Sequence, residues 1–227
     1  MVDHRRWQVP SHRQINKYTD KNLIKYQRYL HWINQIDPIR LKFADECHFA
    51  PKDYRARKAI APKRNPAVLL HRGQLPKPCN ITLLTNLAGP HTFGVVMREQ
   101  SNTQLDFFAF VEEMVTLGFL VWGDVLVVDN ATVHVSKRYW RQIEDYLLGC
   151  GVMIVTLPTY SPELNPCELV FARVKGYMRS ECASFYDPTI GRSMSPPFKE
   201  MLGAALSAIS FEELDAYYRH CRNPTSV

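Results

Sequence analysis

The sequence predicts an α/β fold built on a mixed five-stranded sheet flanked by helices, and three patterns carry the prediction. Five short apolar runs have strand character. The second and third of them meet at Ala88-Gly89-Pro90, a tight antiparallel connection. The later runs alternate with segments of helical periodicity, as parallel strands require.

Taken in order, the segment up to about Arg40 is basic and polar, with Leu23, Tyr26, Leu30 and Ile33 at helical spacing, so a helix docked on the main domain is expected. In the first strand, LKFADECHF, Leu41, Phe43 and Asp45 share one face and Lys42, Ala44 and Glu46 the other. The stretch from Pro51 to Pro78 is rich in Arg, Lys and Pro and lacks periodicity, which reads as a long loop. Strands follow from about Asn80 to Leu87 and His91 to Arg98. A polar cap then opens a helix in which Leu105, Phe108, Val111 and Val115 recur at spacings of three and four. VLVVD is a buried-strand pattern ending at Asp129. An amphipathic helix from about Ser136 to Leu148 leads to the strand VMIVTL, and the loop PTYSPELNP runs into a helix from Pro166 to about Arg179. Helix-rich sequence follows Pro197. The expected organisation is a basic helical extension over residues 1–38, a catalytic domain over 39–182 and a helical segment over 183–227.

Hydrophobic residues make up 46% and charged residues 22%, which excludes disorder as the general state. The opening residues lack the apolar middle of a secretory signal and no run is apolar enough to span a bilayer, so no membrane partner is expected. The expected location is the nucleus in a eukaryote or the cytoplasm in a bacterium. Cys47, Cys79, Cys150, Cys167, Cys182 and Cys221 are scattered without a CxxC pair, which fits reduced thiols rather than a zinc knuckle. A formal charge of +6 and a pI near 9.0 are compatible with a polyanionic partner.

Three carboxylates carry the chemistry. Asp45 lies on the core side of its strand, where an unpaired carboxylate costs several kcal/mol. Its partner is an arginine, a ring of backbone amides or a metal ion; Glu46 points the other way. Asp129 sits at the carboxyl end of a strand, the edge where open sheets bind ligands, or it caps the next helix. Glu168 falls at the third helical position after Asn165 and Pro166, where it can close a capping box, yet a helix N-terminus also favours an ionised carboxylate facing outward. Three such groups brought together repel unless cations separate them. Hard oxygen ligands select Mg2+ or Mn2+, and two ions about 4 Å apart can activate water and stabilise the leaving oxygen at phosphorus. That combination predicts phosphodiester cleavage.

FADECHF, the basic YRARKAIAPKR, VLVVDNATVH and PTYSPELNPCELVFARVK together resemble the DDE superfamily endonucleases of mariner-type transposases and their bacterial insertion-sequence relatives. The resemblance spans about Leu41 to Arg179. It implies an RNase H-like fold, a catalytic and metal-binding triad of Asp45, Asp129 and Glu168, two Mg2+ or Mn2+ ions, DNA as partner and a homodimer on paired DNA ends. Asn130, His134, Tyr160, Ser161, Asn165 and Pro166 match motif positions as supporting residues. Arg55, Arg57, Lys58, Lys63 and Arg64, in the loop after the first catalytic strand, are the expected phosphate contacts. The sequence departs from the family at Phe171, where tryptophan is usual, and at Cys47-His48, where small residues are common. The residues ahead of Leu41 are too few for the paired helix-turn-helix modules usual in such proteins, which favours a second reading: a transposon-derived DNA-binding or interaction protein that does not cut. Another nuclease of the same fold is the third.

Overall fold

The computed structural model describes residues 19–50, 78–89, 91–129, 137–184, 186–187, 192–193 and 198–224. Its main sheet has five strands in the order β3-β2-β1-β4-β5, where β1 is Leu41–Phe49, β2 Cys79–Asn86, β3 Phe93–Arg98, β4 Val125–Val128 and β5 Met153–Thr156. β1, β2 and β3 are joined antiparallel, whereas β1, β4 and β5 run parallel. The β2–β3 turn is set by Asn86, whose side chain accepts the Ala88 N–H at 2.7 Å and donates to the His91 carbonyl at 3.1 Å. Gly89 follows at φ +79°, a left-handed conformation that costs glycine little.

Helices cover both faces of this sheet, which is why VLVV has no polar side. Val125 and Val127 join an apolar cluster with α1 (Asp20–Ile33), α4 (Pro166–Ser184), α5 (Phe198–Ser207) and α6 (Phe211–Arg222). Leu126 and Val128 join a second cluster with α2 (Gln104–Thr116) and α3 (Lys137–Gly149). A strand buried on both sides reads as a continuous apolar run. Each fully buried Leu or Phe contributes about 1.5–3 kcal/mol, so these clusters fix where the strand ends sit.

Two helix faces differ from the sequence reading. In α2 the buried stripe is Phe107, Phe110, Val111 and Met114, while Leu105 is 57% exposed. The segment is apolar around most of its circumference, so periodicity permits more than one stripe; packing on Leu84, Leu126 and Val128 selects between them. In α1, Tyr29 and Ile33 are buried and Leu23 is exposed. Helix α4 runs on to Ser184, beyond the expected end near Arg179. Within the segment read as helical, Tyr186–Asp187 (β6) and Arg192–Ser193 (β7) form a small antiparallel pair, too short to leave a periodic signal.

The amino end of β4 holds a charge cluster that sequence patterning did not single out. Lys42, 1% exposed, places Nζ 3.7 Å from Oδ1 of Asp124, and Arg40 places Nη1 3.6 Å from the same oxygen. The other Asp124 oxygen accepts the Val121 N–H at 3.0 Å.

Candidate functional site

Parity and register bring the first two carboxylates together. Ala44 pairs with Val128 across the parallel β1–β4 ladder, and one residue further along lie Asp45 and Asp129. Both share strand parity with the residues that face α4, Phe43 in one case and Val127 in the other. The third residue of α4 is Glu168. Asp45, Asp129 and Glu168 line one cavity of about 390 Å³ with Leu157, Pro158, Thr159, Tyr160, Ser161, Pro162 and Asn165. None of these lining residues is Lys, Arg or His.

The site brings carboxylates close together. Asp45 is buried, and its carboxyl is pushed well above the usual carboxylate range, first by loss of water and then by the charge of Asp129, with Glu168 adding to it. Glu168 is pushed up by partial burial and by Asp129, against the pull of Lys175. Asp45 keeps its place through two hydrogen bonds: Oδ1 accepts the Glu46 N–H at 2.7 Å and Oδ2 accepts the Asn165 side-chain amide at 2.8 Å. Among the described residues, no three His, Cys, Asp or Glu side chains close into a ready-made ion cage. The carboxylates share a cavity and repel; they do not yet converge.

The local structure removes the bland alternative for Glu168. The Asn165 N–H is taken by the Pro162 carbonyl at 3.0 Å, so Glu168 does not close the expected capping box. Glu46 lies on the opposite face, toward Asn102, Asp106 and Arg98. Glu163, the other glutamate of the SPELNPCE stretch, is outside the cavity lining and hydrogen-bonds Tyr26 of α1.

Of the supporting residues, Tyr160, Ser161 and Asn165 line the cavity. Tyr160 is 46% exposed with φ +58°, a conformation that a bulky side chain rarely adopts and that clusters at functional sites. Pro166 is buried as the first residue of α4. Asn130, His134, Arg55, Arg57, Lys58, Lys63 and Arg64 lie outside the described residues. Sequence reasoning missed Lys175, two helical turns beyond Glu168, whose ammonium sits 5.0 Å from the centre of the Phe49 ring and whose charge steadies the Glu168 carboxylate. The seven-residue spacing from Glu168 was the available signal.

Residues 40–187, well over half of the chain, match the family model described as DDE superfamily endonuclease. The chain belongs to that family. Its RNase H-like fold is shared with solved structures of the Mos1 mariner transposase. The Mos1 strand transfer complex superposes with a TM-score of 0.65 at 14% identity, covering 98% of this chain and 63% of that one. The Mos1 mariner paired-end complex with Mn gives 0.62 at 12% identity, covering 98% and 64%. The catalytic domain of Mos1 alone gives 0.56 at 14% identity, covering 95% and 92%. The chain thus spans less than two thirds of the Mos1 chain in those complexes and nearly all of its catalytic domain. No curated protein matches the sequence.

Proposed function

We propose that this DDE-family domain cuts DNA phosphodiester bonds and transfers the freed strand, with Asp45, Asp129 and Glu168 holding two divalent cations, Mg2+ or Mn2+. The observation that carries the reading is the cavity in which carboxylates from β1, the end of β4 and the start of α4 meet without a cationic lining residue. Three hard oxygen donors facing one cavity, with the proton affinity of Asp45 and Glu168 raised, are the donor set such ions take. When bound, the ions would supply the positive charge that activates water and stabilises the leaving oxygen at phosphorus.

The chain's own residues perform the rest. Asp45 is held in one orientation by the Glu46 N–H and the Asn165 amide. Glu168 projects from the first turn of α4, where the helix dipole favours its ionised form. Tyr160 and Pro162 form part of the wall against which a strand would lie. That the Mos1 structures include strand transfer and paired-end complexes supports DNA as the partner; a homodimer on paired ends is the assembly the family resemblance implies.

A plasmid-nicking assay in Mg2+ or Mn2+ tests the reading. Asp129→Asn should keep the fold and abolish nicking. Nicking at the parental rate would sink the mechanism, and a wild-type chain that binds DNA without nicking it would return the non-catalytic alternative. Arg55, Arg57, Lys58, Lys63 and Arg64 are proposed to contact phosphates without reading bases. Replacing them with alanine should flatten the dependence of log affinity on log salt by about one unit for each phosphate no longer neutralised. Tight, salt-resistant binding to one DNA sequence would refute that assignment.

A further inference from the structure

We propose that Asn165 is a positioning residue that orients the Asp45 carboxylate and fixes its spacing from Glu168, an inference that rests on reading those two carboxylates as cation ligands. Asn165 is 2% exposed, and its side chain works in two directions. Nδ2 donates to Asp45 Oδ2 at 2.8 Å, while Oδ1 accepts the Cys167 N–H at 3.1 Å. The Asn165 carbonyl accepts the Glu168 N–H at 3.2 Å. One residue therefore touches the first carboxylate with its side chain and the backbone of the third with its main chain. A second tie parallels it: the buried Cys167 thiol donates to the Phe43 carbonyl at 3.4 Å, so the first turn of α4 is fastened to β1 at two points, Phe43 and Asp45.

The chemistry of the amide matters as much as its place. With the Glu46 N–H on Oδ1 and the Asn165 amide on Oδ2, each Asp45 oxygen has one donor, which fixes the rotation of the carboxylate plane. Both donors are neutral. A lysine or arginine at this position would neutralise Asp45 and compete with an incoming cation; an amide orients the carboxylate and leaves its charge available. Outer-shell partners of this kind commonly set metal affinity.

The competing explanation is that Asn165 is only a helix cap. Serine caps a helix about as well as asparagine, but its shorter side chain cannot reach Asp45. In the full chain, Asn165→Ser should unfold close to the wild-type temperature yet bind Mn2+, followed by its electron paramagnetic resonance signal, about ten- to a hundred-fold more weakly. Thr103→Ala, which removes the cap of α2 on the far side of the sheet, is the control for general destabilisation and should leave Mn2+ binding unchanged. Wild-type Mn2+ affinity in Asn165→Ser would overturn the proposal. A wild-type chain that takes up no Mn2+ would instead defeat the metal reading, so a metal-free measurement decides the contact independently. The Asn165 side-chain amide resonances should shift strongly in Asp45→Ala, and resonances that stay put would overturn the proposal whatever the Mn2+ result.

Discussion

The two ends of β4 place an aspartate in opposite surroundings. At the amino end Asp124 is 2% exposed and has Lys42, Arg40 and the Val121 N–H around it. At the carboxyl end, past Val128, Asp129 meets Asp45 and Glu168 in a cavity whose described lining offers no cation. The same short strand thus ends on a mixed-charge cluster on one side and on a group of carboxylates on the other. Desolvation acts at both ends, and it is tolerated only where opposite charge or hydrogen bonds meet it. The amino end supplies its own counter-charge and is structural. The carboxyl end groups three carboxylates in a cavity whose described lining includes no Lys, Arg or His, an arrangement that a divalent cation would complete under the proposed reading.

The sharpest way to break this contrast is to remove the counter-charge from the structural end. Lys42→Met leaves Asp124 buried with Arg40 alone as its cation and should cost about 3 kcal/mol in a urea titration. Nicking per folded molecule should stay at the wild-type level, because Lys42 lies at the opposite end of the strands. Adding Mn2+ then sharpens the comparison. A ligand that binds only the folded state stabilises it by mass action, about 2.7 kcal/mol at a hundred-fold excess over its dissociation constant. Wild type and Lys42→Met should gain equally from Mn2+, while Asp129→Asn should gain little. Equal gains in all three would show that the ion binds elsewhere.

How much of this was legible in the sequence follows from what each feature depends on. The mixed five-stranded sheet was readable because β4 and β5 lie in apolar runs that alternate with helical segments, and a tight turn joins β2 to β3. The candidate carboxylates were readable too: parity placed Asp45 on the core side, and Asp129 follows the last apolar residue of its strand. The helix faces were not, because α2 is apolar at too many positions for spacing to choose the buried stripe, and only the sheet it meets decides. The Lys42–Asp124 pair and the Asn165–Asp45 bond join residues far apart in the chain, and no local pattern encodes such pairings. The family resemblance supplied the link between Asp45, Asp129 and Glu168 that periodicity alone left open. Phosphate contact by Arg55, Arg57, Lys58, Lys63 and Arg64 rests on composition and on the family resemblance, since residues 51–77 lie outside the described residues.

The smallest expected effect distinguishes the two glutamates of SPELNPCE, and it tests whether the contrast between the two charge clusters extends to the approach to α4. Glu163 is met from within: it hydrogen-bonds Tyr26, whose phenol is pushed up to about 12, first by burial and then by the Glu163 charge. Among the described residues, the opposite charge acting on Glu168 is that of Lys175. Glu163→Gln keeps an oxygen that can accept from Tyr26, so the stability cost should stay below about 1 kcal/mol. Nicking should be unchanged. The alkaline side gives an independent check. Between pH 10 and about 12 an unfolded phenol ionises while the folded Tyr26 keeps its proton, so stability falls across that window. Removing the Glu163 charge narrows the window without closing it, because burial remains the larger cause. The identical exchange at Glu168→Gln should abolish nicking while leaving the fold and the Tyr26 titration as they were. If Glu163→Gln abolished nicking and Glu168→Gln did not, the third carboxylate of the site would have to be reassigned to Glu163 and the cavity would no longer mark the reaction centre.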